Sequence, residues 1–224
     1  MYWEESQSQR DALPGDDVVD IAFAIQCRML PVDHAYALSE ALCRQLPWLP
    51  GETGAGVHHI YIPETGNGWS RGTELMHLSH RTKLIIRVPG HRIDEAQQLT
   101  GTVLNVSGHE MTIKNGAIRR LSELSTLVSR FMVYQKGDNE ALFQDNMASQ
   151  LKHMGIRLRK MLPGRTNIIA TPDGEVYTRS VMLAELDIDE SIKLQQLGLG
   201  QHRRMGCGMF VPQRDIKELN DTEN

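Results

Sequence analysis

Apolar and polar residues begin to alternate at Val18. Val19, Ile21, Phe23, Ile25 and Cys27 fall at every second position, which predicts a half-buried strand over 18–29. Pro31 interrupts this run. After Asp33, a favourable N-cap, the stretch HAYALSEALCRQL places Ala35, Leu38, Leu42 and Leu46 on one face and predicts a helix that Pro47 and Pro50 end. A short strand at 57–62 leads into the turn-forming loop ETGNGWSRG. Apolar stretches at 74–78 and 83–88, a short helix at 93–99 and a strand from Val103 follow, then a hairpin of 111–113 and 117–121 turning at Asn115-Gly116. A second round has a strand at 127–134 and a helix after Asp138 with Phe143, Met147, Leu151 and Met154 inward, ending at Gly155. Strands at 156–162, 167–171 and 176–186 precede a helix at 188–197, where Asp187 and Glu190 have capping-box spacing; a strand at 209–211 closes the series.

The order is strand, helix, strand, strand, helix, strand, twice over. That predicts an α+β fold of tandem ferredoxin-like (βαββαβ) halves, with helices on one face of each antiparallel sheet and the other face free for a partner. The expected division is an acidic flank at 1–17, halves at 18–122 and 123–214, and an acidic tail at 215–224.

Composition refines this picture. Of 224 residues 40% are apolar, enough for a core, and no apolar run approaches the roughly 18 residues of a membrane span. The polar N-terminal stretch does not read as an export signal, and Cys27, Cys43 and Cys207 form no CxxC, so a cytoplasmic protein with reduced thiols is expected. The net charge of −4 argues against nucleic acid until it is divided by position. Residues 1–20 carry six acids and one base, and residues 215–224 four acids and one base, leaving 22 bases against 18 acids between them. The body is mildly basic.

Five features could carry chemistry. The segment Gly198-Leu-Gly-Gln-His-Arg-Arg-Met-Gly-Cys-Gly-Met-Phe-Val-Pro212 brings Gly198, Gly200, Gly206 and Gly208 together with His202, Arg203 and Arg204. Glycines let amides approach an anion and arginines add bidentate phosphate contacts, although a glycine-rich turn with solvated arginines fits equally well. His34 falls at a helix start, where free amides attract a phosphate and the dipole favours neutral imidazole; an exposed histidine without a role is the plainer alternative. His58 and His59 adjoin on a strand, so only one can face His34. Arg157, Arg159, Lys160 and Arg165 could line a phosphate track or blunt a sheet edge, and Trp69 with Arg71 could stack on a base or pack on the sheet. His77 and His80 lack the companions of a metal site.

The glycine-rich tail, together with Leu30-Pro-Val-Asp-His-Ala-Tyr-Ala-Leu38 and Glu190-Ser-Ile-Lys-Leu-Gln-Gln-Leu-Gly-Leu-Gly200, resembles the repeat-associated RNA-binding proteins of CRISPR systems. It is similar to the short subtype of the precursor-crRNA-processing endoribonucleases of type I systems, over about residues 18–214. The resemblance implies a metal-independent nuclease without cofactors that cuts CRISPR repeat RNA by 2′-hydroxyl attack, leaving a 2′,3′-cyclic phosphate and a 5′-hydroxyl. It implies His34 as the catalytic residue and His58 as its companion by alignment; Tyr36 and Ser39, near His34, read as weaker helpers. RNA contacts are then expected on the basic run and the glycine-rich loop, whereas the arginine-rich helix that related enzymes often use is not matched by the helix 138–154, whose one base is Lys152. The implied partners are the crRNA stem-loop, other Cascade subunits, and transposition proteins where the parent system is transposon-associated. Two rivals stand beside it: a non-catalytic RNA-binding scaffold, and a two-histidine phosphoesterase suggested by the H-x-[ST] units of His77-Leu-Ser-His-Arg-Thr82.

Overall fold

A computed structural model of the chain describes residues 18–61 and 75–213. The two acidic flanks and the loop that carries Trp69 and Arg71 lie outside the described residues.

The N-terminal half holds β1 (Val18–Gln26), β2 (Met29–Pro31), α1 (Ala35–Gln45), β3 (Gly56–Val57), β4 (Leu75–His77), β5 (Lys83–Pro89), α2 (Ile93–Gln97), β6 (Val103–Val106) and β7 (His109–Arg119). Its main sheet is antiparallel in the order β3-β5-β1-β7-β6, while β2 and β4 pair as a separate ribbon. The C-terminal half holds β8 (Leu127–Val133), α3 (Glu140–His153), β9 (Lys160–Thr171), β10 (Gly174–Ala184), α4 (Ile188–Leu197) and β11 (Val211–Pro212), in the sheet order β11-β8-β10-β9. In both halves the first and third strands of the βαββαβ unit are central and the other two flank them. Both halves are thus ferredoxin-like.

Two predicted breaks are absent. The hairpin at Asn115-Gly116 is instead one unbroken strand, β7, that spans the length of β1. Gly116 lies opposite Phe23, and a Cβ there would come within 2.7 Å of the Phe23 ring, so this glycine serves close approach rather than a turn. The hairpin turn is Ser107-Gly108, whose φ values of 50° and 83° match a type I′ turn. Likewise 156–162 and 167–171 are not two strands: Lys160–Thr171 is continuous, and Pro163 is tolerated because β9 is an edge strand. Helix starts shift by one residue. His34, not Asp33, is the N-cap of α1, and Asn139, not Asp138, caps α3, its side chain accepting the Leu142 N–H at 2.9 Å. The Asp187/Glu190 capping box of α4 is formed as predicted.

Ile21, Phe23, Leu38, Leu42, Leu84 and Ile86 head the N-terminal core; Phe143, Met147, Leu151, Val181, Leu183 and Leu194 head the C-terminal one. The second face of the C-terminal sheet is not left free. Ala35 and Tyr36 of α1, with Met205 and Cys207 of the glycine-rich segment, pack there against Phe131, Val133, Ile169 and Val176. A buried polar joint adds to this contact. Arg87 on β5, fully buried, grips Asp20 through Nε and Nη2 (2.8 and 3.0 Å) and donates from Nη1 to the carbonyls of Gln195 (2.7 Å) and Phe210 (3.0 Å) in the other half.

Candidate active site

β2 ends at Pro31, and the chain turns through Val32 and Asp33 into α1. Asp33 spends its carboxylate on the other half, accepting the Ala170 N–H of β9 at 2.8 Å. This pins the start of α1 against the C-terminal sheet. His34 follows, with no solvent exposure, and its carbonyl accepts the Leu38 N–H at 2.8 Å. Its Nδ1 stands 3.0 Å from the Pro31 carbonyl and 3.1 Å from that of Val32. Carbonyls only accept, so Nδ1 carries the proton and Nε2 keeps its lone pair. That Nε2 is buried without a hydrogen-bond partner. Burial lowers the imidazole pKa against the opposing pull of the two carbonyls and Asp33. The ring is neutral at physiological pH and holds a bare basic nitrogen.

The histidine that meets it is His59. The rings of His34 and His59 have centroids 4.3 Å apart, and His59 lies 4.4 Å from Phe131 on its other side. The predicted strand over 57–62 ends at Val57, so both histidines follow β3, and His58 turns to a different partner. Its Nε2 sits 3.1 Å from Asp20 Oδ1, within the Arg87 joint, which corrects the expectation that His58 would accompany His34. Burial, then His34 and Arg130, lower His59 to about 3, and burial also lowers His58. His34 and His59 are therefore neutral in the fold at physiological pH, whereas free imidazole binds a proton near pH 6.5. The unfolded chain takes up more protons as pH falls, so stability present above pH 6.5 is lost below it. His59 alone is expected to cost about 2 kcal/mol at pH 5 relative to pH 7.5, with His34 adding in the same direction. Urea unfolding at the two pH values checks this; an unchanged midpoint would exclude it.

The glycine-rich segment is a joint rather than an open cradle. The Gly208 N–H bonds to the Phe131 carbonyl at 2.8 Å, Leu199 N–H to Gly208 O at 3.0 Å, and Cys207 and Met205 N–H to His202 O. A Cβ on Gly208 would overlap the Leu199 carbonyl at 1.8 Å, and one on Gly206 would lie 3.1 Å from the His59 backbone nitrogen. Gly198 has φ 62° and abuts Gly208, while Gly200 closes the turn at φ 79°. Arg203 is largely buried. Its guanidinium donates to the carbonyls of Leu197, Gly54 (3.0 Å) and Gln196 (3.1 Å), tying α4 to the N-terminal half. Arg204 reaches the Cys43 thiol of α1 at 3.9 Å, and His202 is exposed in a left-handed conformation.

The basic run divides too. Arg157 and Arg159 precede β9 rather than lying in a strand. Arg159 is held by Asp187 and Glu190 at 2.5 Å each, Lys160 pairs with Glu185, and the Arg157 backbone N–H goes to Glu190. These residues brace the start of α4. Arg165 alone of the four borders the cleft.

That cleft, about 740 Å³, opens between the halves and is bordered by His59, Tyr61, Arg130, Phe131, Arg165 and Asn167. The Arg130 guanidinium stacks over the Tyr61 ring at 3.8 Å. Sequence reasoning missed His59, Tyr61 and Arg130 as a group. The one available signal was Arg130 itself, a charge inside the apolar run 127–134. Among the described residues, no three His, Cys, Asp or Glu side chains are grouped to hold a metal ion, and no helix is long and apolar enough to cross a membrane.

Two joined ferredoxin-like halves are the fold that this chain shares with solved repeat-associated RNA-binding proteins. Within that class the chain belongs to the Cas6 CRISPR family, which matches residues 19–215, and it is a CRISPR-associated RNA-processing endoribonuclease. A CRISPR-associated endonuclease Cas6 of Myxococcus xanthus (strain DK1622) is 28% identical over 194 residues, covering 87% of this chain and 81% of the relative. A solved CRISPR associated protein Cas6 shares the fold with a TM-score of 0.65 at 13% identity, covering 88% of this chain and 100% of that one. The product of a Cas6-related gene from Pyrococcus furiosus does so with a TM-score of 0.56 at 13% identity, covering 86% and 97%.

Proposed function

We propose that this chain cuts the repeat RNA of a type I precursor crRNA without a metal ion, with His34 as general base. The observation that carries the reading is the bare Nε2 of His34, held in one tautomer by the Pro31 and Val32 carbonyls. Nε2 takes the proton of the 2′-hydroxyl preceding the scissile phosphate. The freed oxygen attacks phosphorus in line, the bond to the 5′-oxygen breaks, and that oxygen leaves with a proton as a 5′-hydroxyl. The other product ends in a 2′,3′-cyclic phosphate. The nucleophile belongs to the substrate, so no bound metal has to generate it.

Arg130 and Arg165, which border the cleft, are suited to offset phosphate charge. Arg203 and the amides of 205–208 are already engaged within the protein, which moves the expected RNA contacts from the glycine-rich loop to the cleft. After cleavage the protein stays on the 3′ stem-loop of the crRNA as a subunit of Cascade. Incubating the protein with its own repeat RNA in EDTA is expected to give one cut with a cyclic phosphate end. Cutting only after divalent metal is added would overturn the mechanism, and tight binding with no cut would favour a scaffold.

A further inference from the structure

His34 cannot be reached from the cleft as the protein stands. It has no solvent exposure, and it is not among the residues that border the cleft, whereas its neighbours Val32 and Asp33 and the stacked His59 are. The His59 ring lies between His34 and Phe131, with centroids 4.3 and 4.4 Å away. The stack leaves two ring nitrogens, His34 Nε2 and His59 Nδ1, buried with no partner. A buried polar atom without a partner destabilises the packing around it, and two belong to this one pair of rings. A turn of the His59 side chain into the cleft relieves both at once. It hydrates or pairs His59 Nδ1 and bares His34 Nε2. The His59 backbone need not follow, since Gly206 packs against it and His58, the preceding residue, is anchored on Asp20.

We propose that His59 is a substrate-displaced cover over His34. It shields the base in the free protein and swings into the cleft when RNA enters, where its imidazole becomes a phosphate ligand beside Arg130. The protein therefore keeps its base hidden until a phosphate occupies the cleft. This rests on His34 acting as the base, and the test below separates the two ideas.

Diethyl pyrocarbonate labels unprotonated, accessible imidazoles, and peptide mass spectrometry reads each site. In the free wild-type protein, His34 is expected to react at least tenfold more slowly than His80, which is exposed. In His59→Ala, His34 is expected to approach the His80 rate. In His59→Phe, which keeps a ring over His34 but has no nitrogen to offer a phosphate, His34 stays protected. His59→Phe is also expected to bind repeat RNA within a fewfold of wild type and cut it at least tenfold more slowly in a single turnover. Equal His34 labelling in wild type and His59→Ala would overturn the proposal, as would wild-type cutting by His59→Phe. Normal cutting by a His34 variant would instead sink the base assignment and leave the labelling result standing.

Discussion

Replacing His34 by asparagine is expected to slow single-turnover cleavage of repeat RNA by a factor of about 10²–10⁴, the usual contribution of a positioned general base, while the RNA Kd stays within about twofold. Asparagine is the informative choice because of how His34 is held. Its side-chain amide can still donate to the Pro31 and Val32 carbonyls, the two acceptors that fix Nδ1 at 3.0 and 3.1 Å, but it has no basic nitrogen where Nε2 stands. His34→Ala removes both features and leaves two carbonyls without their donor beside a cavity, so part of its loss would be structural. If the two variants lose the same activity and asparagine melts near wild type, the loss is chemical. An asparagine variant that cuts within a fewfold of wild type would show that His34 only shapes the turn into α1. Affinity is the control, because the residues suited to carry it, Arg130 and Arg165, border the cleft and are untouched.

The same residues show where reading the chain works and where it stops. Local periodicity placed the helices, and the Asp187/Glu190 box was visible because both its partners lie within one turn. His34 was legible for the same reason: it is a short-range feature of a helix start. Its companion was not. Alternation says that His58 and His59 face opposite sides, but which side holds α1 is decided by Asp20 of β1, which pairs with His58 and is itself held by Arg87 of β5. The glycines misled in a consistent way. Gly116 beside Asn115 has the composition of a turn, and Gly198 to Gly208 the composition of an anion cradle. Both are there for contacts with distant partners, the Phe23 ring in one case and the Phe131 carbonyl and His59 backbone in the other. Arg159 and Arg203 likewise read as free cations because the acids and carbonyls that hold them are remote in sequence or belong to the backbone.

Replacing Arg87 by methionine is expected to destabilise the protein by about 3–5 kcal/mol at neutral pH, the range for removing one partner of a buried ion pair. The side chain has no exposure, and its donors satisfy both Asp20 oxygens and two carbonyls in the other half. Methionine keeps much of the volume, so the loss comes from the charge and the four hydrogen bonds rather than from a cavity. The pH dependence identifies the source. Burial raises the Asp20 pKa, but His58 and Arg87 together outweigh it and hold the carboxyl well below its usual range. In the wild type that stabilisation is present above the unfolded carboxyl pKa near 4 and fades as pH falls further. In the variant burial is opposed by His58 alone, so Asp20 protonates more readily and acid relieves the unpaired charge. The gap between the two proteins in urea unfolding should therefore narrow from pH 7 to pH 4, even as the buried histidines weaken both. A gap below about 1 kcal/mol that does not change with pH would show that the halves are held by apolar contact alone and that the Arg87 joint is incidental to it.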